Sequence, residues 1–176
     1  PASIFDGNYN YREYVTAPLL SPLKAGITYN IGMYISRANY PYATDLIGIY
    51  LSVNPICFGF ATYLMSPLAG GMGATPPQIE NPSGNIIFDA VNWVLVSGTF
   101  TAAGGEQYIT LGNFREGGGI TQRASSGDVL GGGACGFGSP ISAYYYIDDV
   151  YVSESSDPCS PPLPIKLTSF DGTCHP

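Results

Sequence analysis

Apolar residues along this chain recur at every second position in several stretches, and they do not follow the spacing of an amphipathic helix. Because neighbouring side chains of a strand point to opposite faces, this period predicts β-strands with one buried face. Two stretches show it most clearly, with the expected buried positions Tyr29, Ile31, Met33 and Ile35 in Thr28–Arg37, and Ile47, Ile49 and Leu51 in Leu46–Ser52.

Further runs of β-branched and aromatic residues extend this pattern between turn signals. The strands predicted from them, in chain order, are Arg12–Leu20, Thr28–Arg37, Leu46–Ser52, Trp93–Ala102, Gln107–Phe114 and Ala143–Ser153. The fourth and fifth flank the turn Ala103-Gly104-Gly105, so they are predicted to pair as a hairpin. Regular strands of this kind favour an antiparallel sandwich or barrel.

The last of these strands contains two adjacent carboxylates, Asp148 and Asp149, within the run AYYYIDDVYV. Strand alternation puts one of them on each face. Asp148 falls on the same face as Tyr146, Val150 and Val152, which is predicted to be the buried one. A buried carboxylate is costly without a partner, so the alternation predicts a partner for Asp148 and leaves its identity open.

The composition argues against several classes of protein. Only 11% of the residues are charged, whereas an ordinary soluble domain has about 25%. The formal net charge is −7, and the six Lys and Arg residues are scattered. Such a chain has no basic patch for nucleic acid or for an anionic membrane surface. The acidic balance fits an extracellular protein, and a hydrophobic content of 45% argues against disorder.

Four cysteines, Cys57, Cys135, Cys159 and Cys174, occur without a C-x-x-C pair. This spacing does not favour a zinc site, and it allows three disulfide pairings. We predict bridges between Cys57 and Cys135 and between Cys159 and Cys174, formed in an oxidising compartment. The alternative is four free buried thiols.

The predicted organisation has three parts. Residues 1–153 form one β-sandwich domain, residues 154–164 a Pro- and Ser-rich linker, and residues 165–176 an extra strand or the start of a following module. Pro1 does not begin a recognisable signal peptide, so we expect either a mature form or a fragment.

Signs of catalytic chemistry are weak. The single histidine, His175, is second from the end of the chain, which does not suit a nucleophile–base pair. The acidic residues Glu13, Glu80, Asp89 and Glu106 fall at predicted strand ends or turns, where carboxylates commonly cap backbone groups or stay solvated. The sequence therefore predicts a protein that is not an enzyme.

Aromatic residues suggest a second type of site. Tyr34 and Tyr50 fall opposite the aliphatic stripes of their strands, and Tyr40, Tyr42 and Tyr63 lie in predicted loops. Together they could form a platform on which sugar rings stack. The alternative is that these tyrosines pack on their cross-strand neighbours. The single Trp93 is expected to pack in the core or at its rim.

A family resemblance rests on the order of four segments: REYVTAPLLSPLKAGITYNIGMYIS, DLIGIYLS, PQIENPSGNIIFDAVNWVLVSGTFTAAGGEQYITLGNF and YYYIDDVYV. From Arg12 to Val152 the chain resembles the jelly-roll modules of large secreted surface proteins from gliding, type IX-secreting bacteria. These modules are similar to calcium-binding jelly rolls that serve as carbohydrate-binding modules. LPIKLTSF, Leu163–Phe170, resembles the opening of the next module.

The resemblance implies an antiparallel jelly roll of the galactose-binding type. An Asn-Gly-x-Phe-Glu motif is absent from Pro1–Asn10, so the usual first strand is expected to be missing. Asp148 matches a position that helps to hold a structural calcium ion in the related jelly rolls. The alternatives for Asp148 are that it caps local backbone N–H groups or pairs with a cation such as Arg12.

The function implied is that of a non-catalytic extracellular structural or adhesive module. The alternative is a carbohydrate-binding module of a larger secreted protein. A sandwich lacking a strand would accept one from elsewhere, and the segment containing Ile165, Leu167 and Phe170 is a candidate donor. Insertion into the next copy would build a head-to-tail filament. The expected partners are therefore the chain itself or a surface glycan, without nucleic acid or membrane insertion.

Overall fold

The computed structural model describes residues 3–6, 9–12, 14–38, 42–56, 76–114, 122–124 and 143–154, and only the backbone in 3–6, 9–12 and 122–124. Its regular elements are all strands: β1 Ser3–Asp6, β2 Tyr9–Arg12, β3 Val15–Pro18, β4 Thr28–Arg37, β5 Tyr42–Thr44, β6 Ile47–Ser52, β7 Ile79–Glu80, β8 Val94–Thr101, β9 Tyr108–Asn113, β10 Gln122–Ala124 and β11 Tyr145–Ser153.

Two antiparallel sheets enclose one hydrophobic core. The first has three strands in the order β11-β4-β8, and the second has four in the order β3-β9-β6-β7. Two small antiparallel pairs, β1-β2 and β5-β10, form separate two-stranded sheets. The prediction of an all-β antiparallel protein is confirmed, and the paired sheets have the arrangement of a β-sandwich.

The core lies where the period-two pattern placed it. The predicted stripes on β4 and β6 are buried at every position: Tyr29, Ile31, Met33, Ile35, Ile47, Ile49 and Leu51. Ile109 and Leu111 of β9 lie beside Leu51 and Ile49 in the second sheet, and Ile79 of β7 packs beside Ile49. Because the alternation is regular along β4 and β6, local sequence alone was sufficient to predict these inward faces.

Strand β11 departs from the predicted alternation. Its pairing with β4 shifts register between Asp148 and Tyr151, and Asp149 has a left-handed φ of 47°. This bulge inserts one extra residue, so odd-numbered residues point inward before it and even-numbered residues point inward after it. Val152 is buried as predicted, but Tyr146 is 58% exposed and Asp148 is also exposed. The prediction that Tyr146 and Asp148 face the core is therefore wrong.

The predicted hairpin between Trp93–Ala102 and Gln107–Phe114 is also wrong. Strand β8 belongs to the three-stranded sheet and β9 to the four-stranded sheet, so the connection between them crosses from one sheet to the other. Gly104 and Gly105 have φ of 102° and 89°, which permits the crossing turn. Instead of the two strands pairing with each other, the residue after β8 and the turn bond to the segment before β4, through Ala102 N–H to Ile27 O and Gly105 N–H to Leu23 O, both 2.9 Å.

The predicted N-terminal strand, Arg12–Leu20, is divided in the structure. β2 ends at Arg12 and pairs with β1, whereas β3 begins at Val15 and pairs with β9. Two neighbouring segments of chain thus join different sheets, which hydrophobic alternation along the chain does not reveal.

Candidate functional site

The outer face of the three-stranded sheet carries an aromatic and apolar surface. In the β11–β4–β8 register, Tyr34 lies between Asp148 on one side and Leu95 on the other. Tyr146 is paired with Ser36, one row further along. Cross-strand partners point to the same side of a sheet, so these side chains share one surface. We call it the aromatic face, and it consists of Tyr34, Trp93, Leu95, Tyr144, Tyr146 and Asp148.

Two further residues, Trp93 and Tyr144, belong to this surface because side chains alternate along a strand. Trp93 precedes β8 and lies two residues before Leu95, and Tyr144 lies two residues before Tyr146, so each shares its neighbour's side. Trp93 is 47% exposed and Leu95 is 45% exposed. Trp93, which was expected to pack in the core or at its rim, is therefore not in the core and lies at the edge of this exposed face.

The charge on this surface is negative. Strands β8 and β11 contain no Lys or Arg, and the only cationic side chain of β4 is Arg37. Arg37 is buried, and its Nε donates a hydrogen bond to the carbonyl oxygen of Phe88 at 2.8 Å. Asp148 and Asp149 are exposed. The sheet therefore presents aromatic rings and carboxylates to solvent without a cation.

Asp148 forms a local cap in this structure. Its Oδ1 accepts a hydrogen bond from the backbone N–H of Asp149 at 2.8 Å, which is one of the alternatives predicted for it. Within the described ranges, no group of three or more His, Cys, Asp or Glu side chains is placed to hold a metal ion. The visible surroundings of Asp148 thus do not assemble a calcium site, and calcium binding stays a prediction.

The predicted sugar-binding tyrosines do not share one surface. Tyr34 lies on the outer face of the first sheet, whereas Tyr50 lies on the outer face of the second, because each is opposite in parity to its strand's core stripe. Tyr42 is partly buried and packs against the core. Tyr40 and Tyr63 lie outside the described residues. Of the three described tyrosines in this set, Tyr34 alone belongs to the aromatic face.

Tyr50 has a packing role on the second sheet. Its ring centroid lies 5.9 Å from that of Phe114, and the Tyr14 centroid lies 5.3 Å from the same ring. Phe114 is buried, although it is outside the main core between the sheets. The packing alternative predicted for tyrosines on outer strand faces therefore describes Tyr50.

Two of the acidic residues predicted to cap turns do so. The Asp89 carboxylate accepts the backbone N–H groups of Asn92 (2.7 Å) and Val91 (2.8 Å), and these bonds lower the pKa of Asp89. The Glu106 carboxylate accepts the N–H groups of Ala103 and Gly104, both at 2.9 Å, in the turn that crosses between the sheets. Both carboxylates thus hold turns.

The sequence did not indicate a buried polar cluster beneath β11. Tyr145 accepts the N–H of Thr44 at 2.8 Å and donates to the carbonyl oxygen of Ile87 at 2.9 Å, and its burial raises its pKa to about 12. The fully buried Asp45 accepts the N–H of Gly84 at 2.6 Å. These bonds fix the 81–92 connection on the sandwich. Apart from the run of tyrosines, no local pattern marks them.

Several predicted residues lie outside the described ranges. They are the four cysteines Cys57, Cys135, Cys159 and Cys174, the strand-donor residues Ile165, Leu167 and Phe170, and His175. The side chain of Arg12, the cation suggested as a partner for Asp148, is likewise not described.

No protein-family model matches the chain, and comparisons with curated proteins and with solved structures find no match either. The jelly-roll resemblance therefore rests on the sequence segments given above. In the described portion of the chain, no helix is long and apolar enough to cross a membrane.

Proposed function

We propose that this chain is a non-catalytic structural or adhesive module of the extracellular surface, and that it binds through the aromatic face. One observation carries the proposal: large apolar side chains are exposed together on a sheet whose opposite side already has a complete core. Trp93, Leu95 and Tyr146 are each about half exposed, whereas Ile31, Met33 and Ile35 beneath them are fully buried.

This exposure is unusual for a sheet that faces only water. The solvent face of an antiparallel sheet is normally polar, and contiguous exposed apolar surface marks an interaction site. Apart from the Tyr151 ring, which lies over Gly32, the outward residues further along the same sheet are polar, including Ser97 and Thr99 of β8 and Asn30 of β4. The apolar residues are therefore concentrated at one end, as expected for a bounded binding surface.

The second candidate function is carbohydrate binding, and the chemistry of the same surface favours it. Tyrosine and tryptophan rings offer flat apolar faces to the C–H groups of a sugar. The Asp148 carboxylate can accept hydrogen bonds from sugar hydroxyls, and the nearby tyrosine hydroxyls can donate or accept them. Because the three strands of this sheet expose carboxylates and no Lys or Arg side chain, a neutral saccharide fits it better than an acidic one.

Glycan-array binding followed by calorimetry of the strongest neutral glycan would test the role of the face. We expect Tyr146→Ala to weaken binding at least about tenfold, equivalent to about 1.4 kcal/mol. Tyr146 suits this test because its side chain is largely exposed, so its removal should leave the core intact.

Tyr108→Ala is the matched control, because Tyr108 lies on the outer face of the other sheet, paired with Ser52. Retained affinity in this variant would show that loss of a surface tyrosine is not by itself harmful. If no glycan binds, the carbohydrate-binding function is wrong. If Tyr146→Ala and Tyr108→Ala lose affinity equally, the aromatic face is not the binding site.

A further inference from the structure

Four strands form the edges of the two larger sheets, and they differ in how they are protected from pairing with another chain. β7 has only two residues, and β3 has four and ends in Pro18, which has no N–H to donate. β11 carries a bulge and the charged pair Asp148 and Asp149. Short length, proline, bulges and charge are the features that keep an edge strand from pairing.

The fourth edge, β8, has none of these features. Its sequence VLVSGTFT contains no charge and no proline over eight residues, and its register with β4 continues without a shift from Thr101 to Val94. None of the described strands pairs with its other side. A long, uncharged and regular edge is a template for strand addition.

The hydrogen-bond register shows which backbone groups are available on that side. Ala102 N–H donates to Ile27 O at 2.9 Å, one step beyond the Thr28–Thr101 pair. Hydrogen-bonded and non-hydrogen-bonded pairs alternate along an antiparallel ladder. It follows that Val94, Val96, Gly98 and Phe100 bond to β4, and that the outward N–H and C=O groups belong to Leu95, Ser97, Thr99 and Thr101.

From this edge we propose that two copies of the chain associate by pairing their β8 strands. The two strands run antiparallel, and a two-fold axis passes between the two Gly98 residues. This register joins Ser97 to Thr99 of the second copy and Leu95 to Thr101, so that all the outward backbone groups are used. A charged strand paired with itself in this way would place like charges close together, and β8 has none. The two aromatic faces would then lie on one continuous sheet.

This inference deepens the structural-module part of the proposed function by naming the partner, and it does not depend on glycan binding. We favour a second copy of β8 over the segment 165–170 as the partner, because the register and the uncharged sequence of β8 show that the strand is complementary to itself. The net charge of −7 makes two copies repel each other at long range. Salt screens that repulsion, so association through the uncharged edge should strengthen as ionic strength rises.

Sedimentation velocity of the full chain across protein and salt concentrations tests the association. We expect a monomer–dimer equilibrium that shifts toward dimer with added salt. Ser97→Pro removes an outward N–H without removing a bond to β4, and Thr99→Lys places a charge on the edge. Each should weaken dimerisation at least about tenfold. Ser21→Lys adds the same charge at an exposed residue between Leu19 and Leu23, which bond to residues 106 and 107 rather than to β8, and it should leave dimerisation unchanged.

Residue-resolved amide hydrogen exchange is a second readout that does not depend on any variant. On dimerisation, the amides of Leu95, Ser97 and Thr99 should gain protection, while those of Val96 and Gly98, already bonded to β4, should change little. Circular dichroism would show whether Ser97→Pro remains folded. If Ser97→Pro is unfolded, the test of dimerisation rests on Thr99→Lys.

Three results would overturn the proposal. The first is a chain that stays monomeric at every concentration and salt. The second is association that survives both edge variants. The third is loss of association on deleting Leu163–Pro176, which would assign the edge to that segment instead. Glycan binding is measured on the same samples. Because dimerisation through β8 does not depend on glycan binding, the dimer proposal and the binding function of the aromatic face can fail independently.

Discussion

The ring of Tyr151 lies directly over the backbone of Gly32. A Cβ added to Gly32 would come within 2.6 Å of the Tyr151 hydroxyl oxygen and 2.7 Å of two ring carbons. The two residues are cross-strand partners between β11 and β4, immediately after the bulge at Asp149. The absence of a side chain at Gly32 thus allows Tyr151 to cover the centre of the sheet, next to the aromatic face.

Gly32→Ala should displace the Tyr151 ring and lower the free energy of unfolding by about 1–3 kcal/mol, the usual cost of overpacking. In a Tyr151→Ala background the same substitution should cost far less, because the ring that it meets is gone. Urea unfolding of both single variants and the double variant measures this coupling. Additive losses would show that the contact does not limit residue 32.

Asp149 has a left-handed φ of 47°, so its backbone conformation should determine which residues fit the bulge. Asp149→Gly should keep the stability unchanged or raise it by up to about 1 kcal/mol, and Asp149→Val should lower it by about 1–2 kcal/mol. Denaturant unfolding compares the two, with Asp149→Asn as the control that removes only the charge. Equal stability of the Gly and Val variants would contradict a bulge at this residue.

Burial raises the pKa of Tyr145 to about 12 from its usual 10.0, which predicts a loss of stability in alkali. The folded state favours the protonated hydroxyl, so this contribution is complete below pH 10 and is lost as pH rises from 10 to 12. The linked change is about 2–3 kcal/mol. Unfolding free energies across this range should fall more steeply for the native chain than for Tyr145→Phe, and parallel curves would refute the assignment.

The Glu106 carboxylate is buried and accepts the two N–H groups at Ala103 and Gly104. Glu106→Ala would leave both without partners and should destabilise the fold by about 1–3 kcal/mol. Glu106→Gln keeps one acceptor oxygen and should fall between. Thermal unfolding measures the series, with Glu154→Ala as control, since the exposed Lys24–Glu154 ion pair (3.0 Å) contributes little. A loss no larger than that of Glu154→Ala would argue against the cap.

Calcium binding near Asp148 is tested by melting the chain in calcium and in chelator. If the ion binds there, calcium raises the melting temperature and Asp148→Ala abolishes the increase. If Asp148 only accepts the hydrogen bond from Asp149 N–H, the unsubstituted chain should melt at the same temperature in calcium and in chelator. Asp148→Ala should then lower both melting temperatures by the same amount. Asp89→Ala, which removes a different turn cap, is the control for a loss of capping alone.

Some of this protein can be determined from the sequence alone. The inward stripes of β4 and β6 followed from alternation, and β4 has the predicted bounds, Thr28–Arg37. Asp89 and Glu106 cap turns, as their positions at strand ends indicated. These features depend on contacts between residues close in sequence, or on a period that repeats along one strand, so the local pattern contains them.

Other features were decided only by the tertiary structure. β8 and β9 are separated by a short turn yet join different sheets, because the segment before β4 bonds to both of their ends. One inserted residue at Asp149 turned Tyr146 outward. The aromatic face combines residues from three strands that are distant in the chain. Strand partners and bulges depend on long-range pairing, which the period of a single strand does not encode.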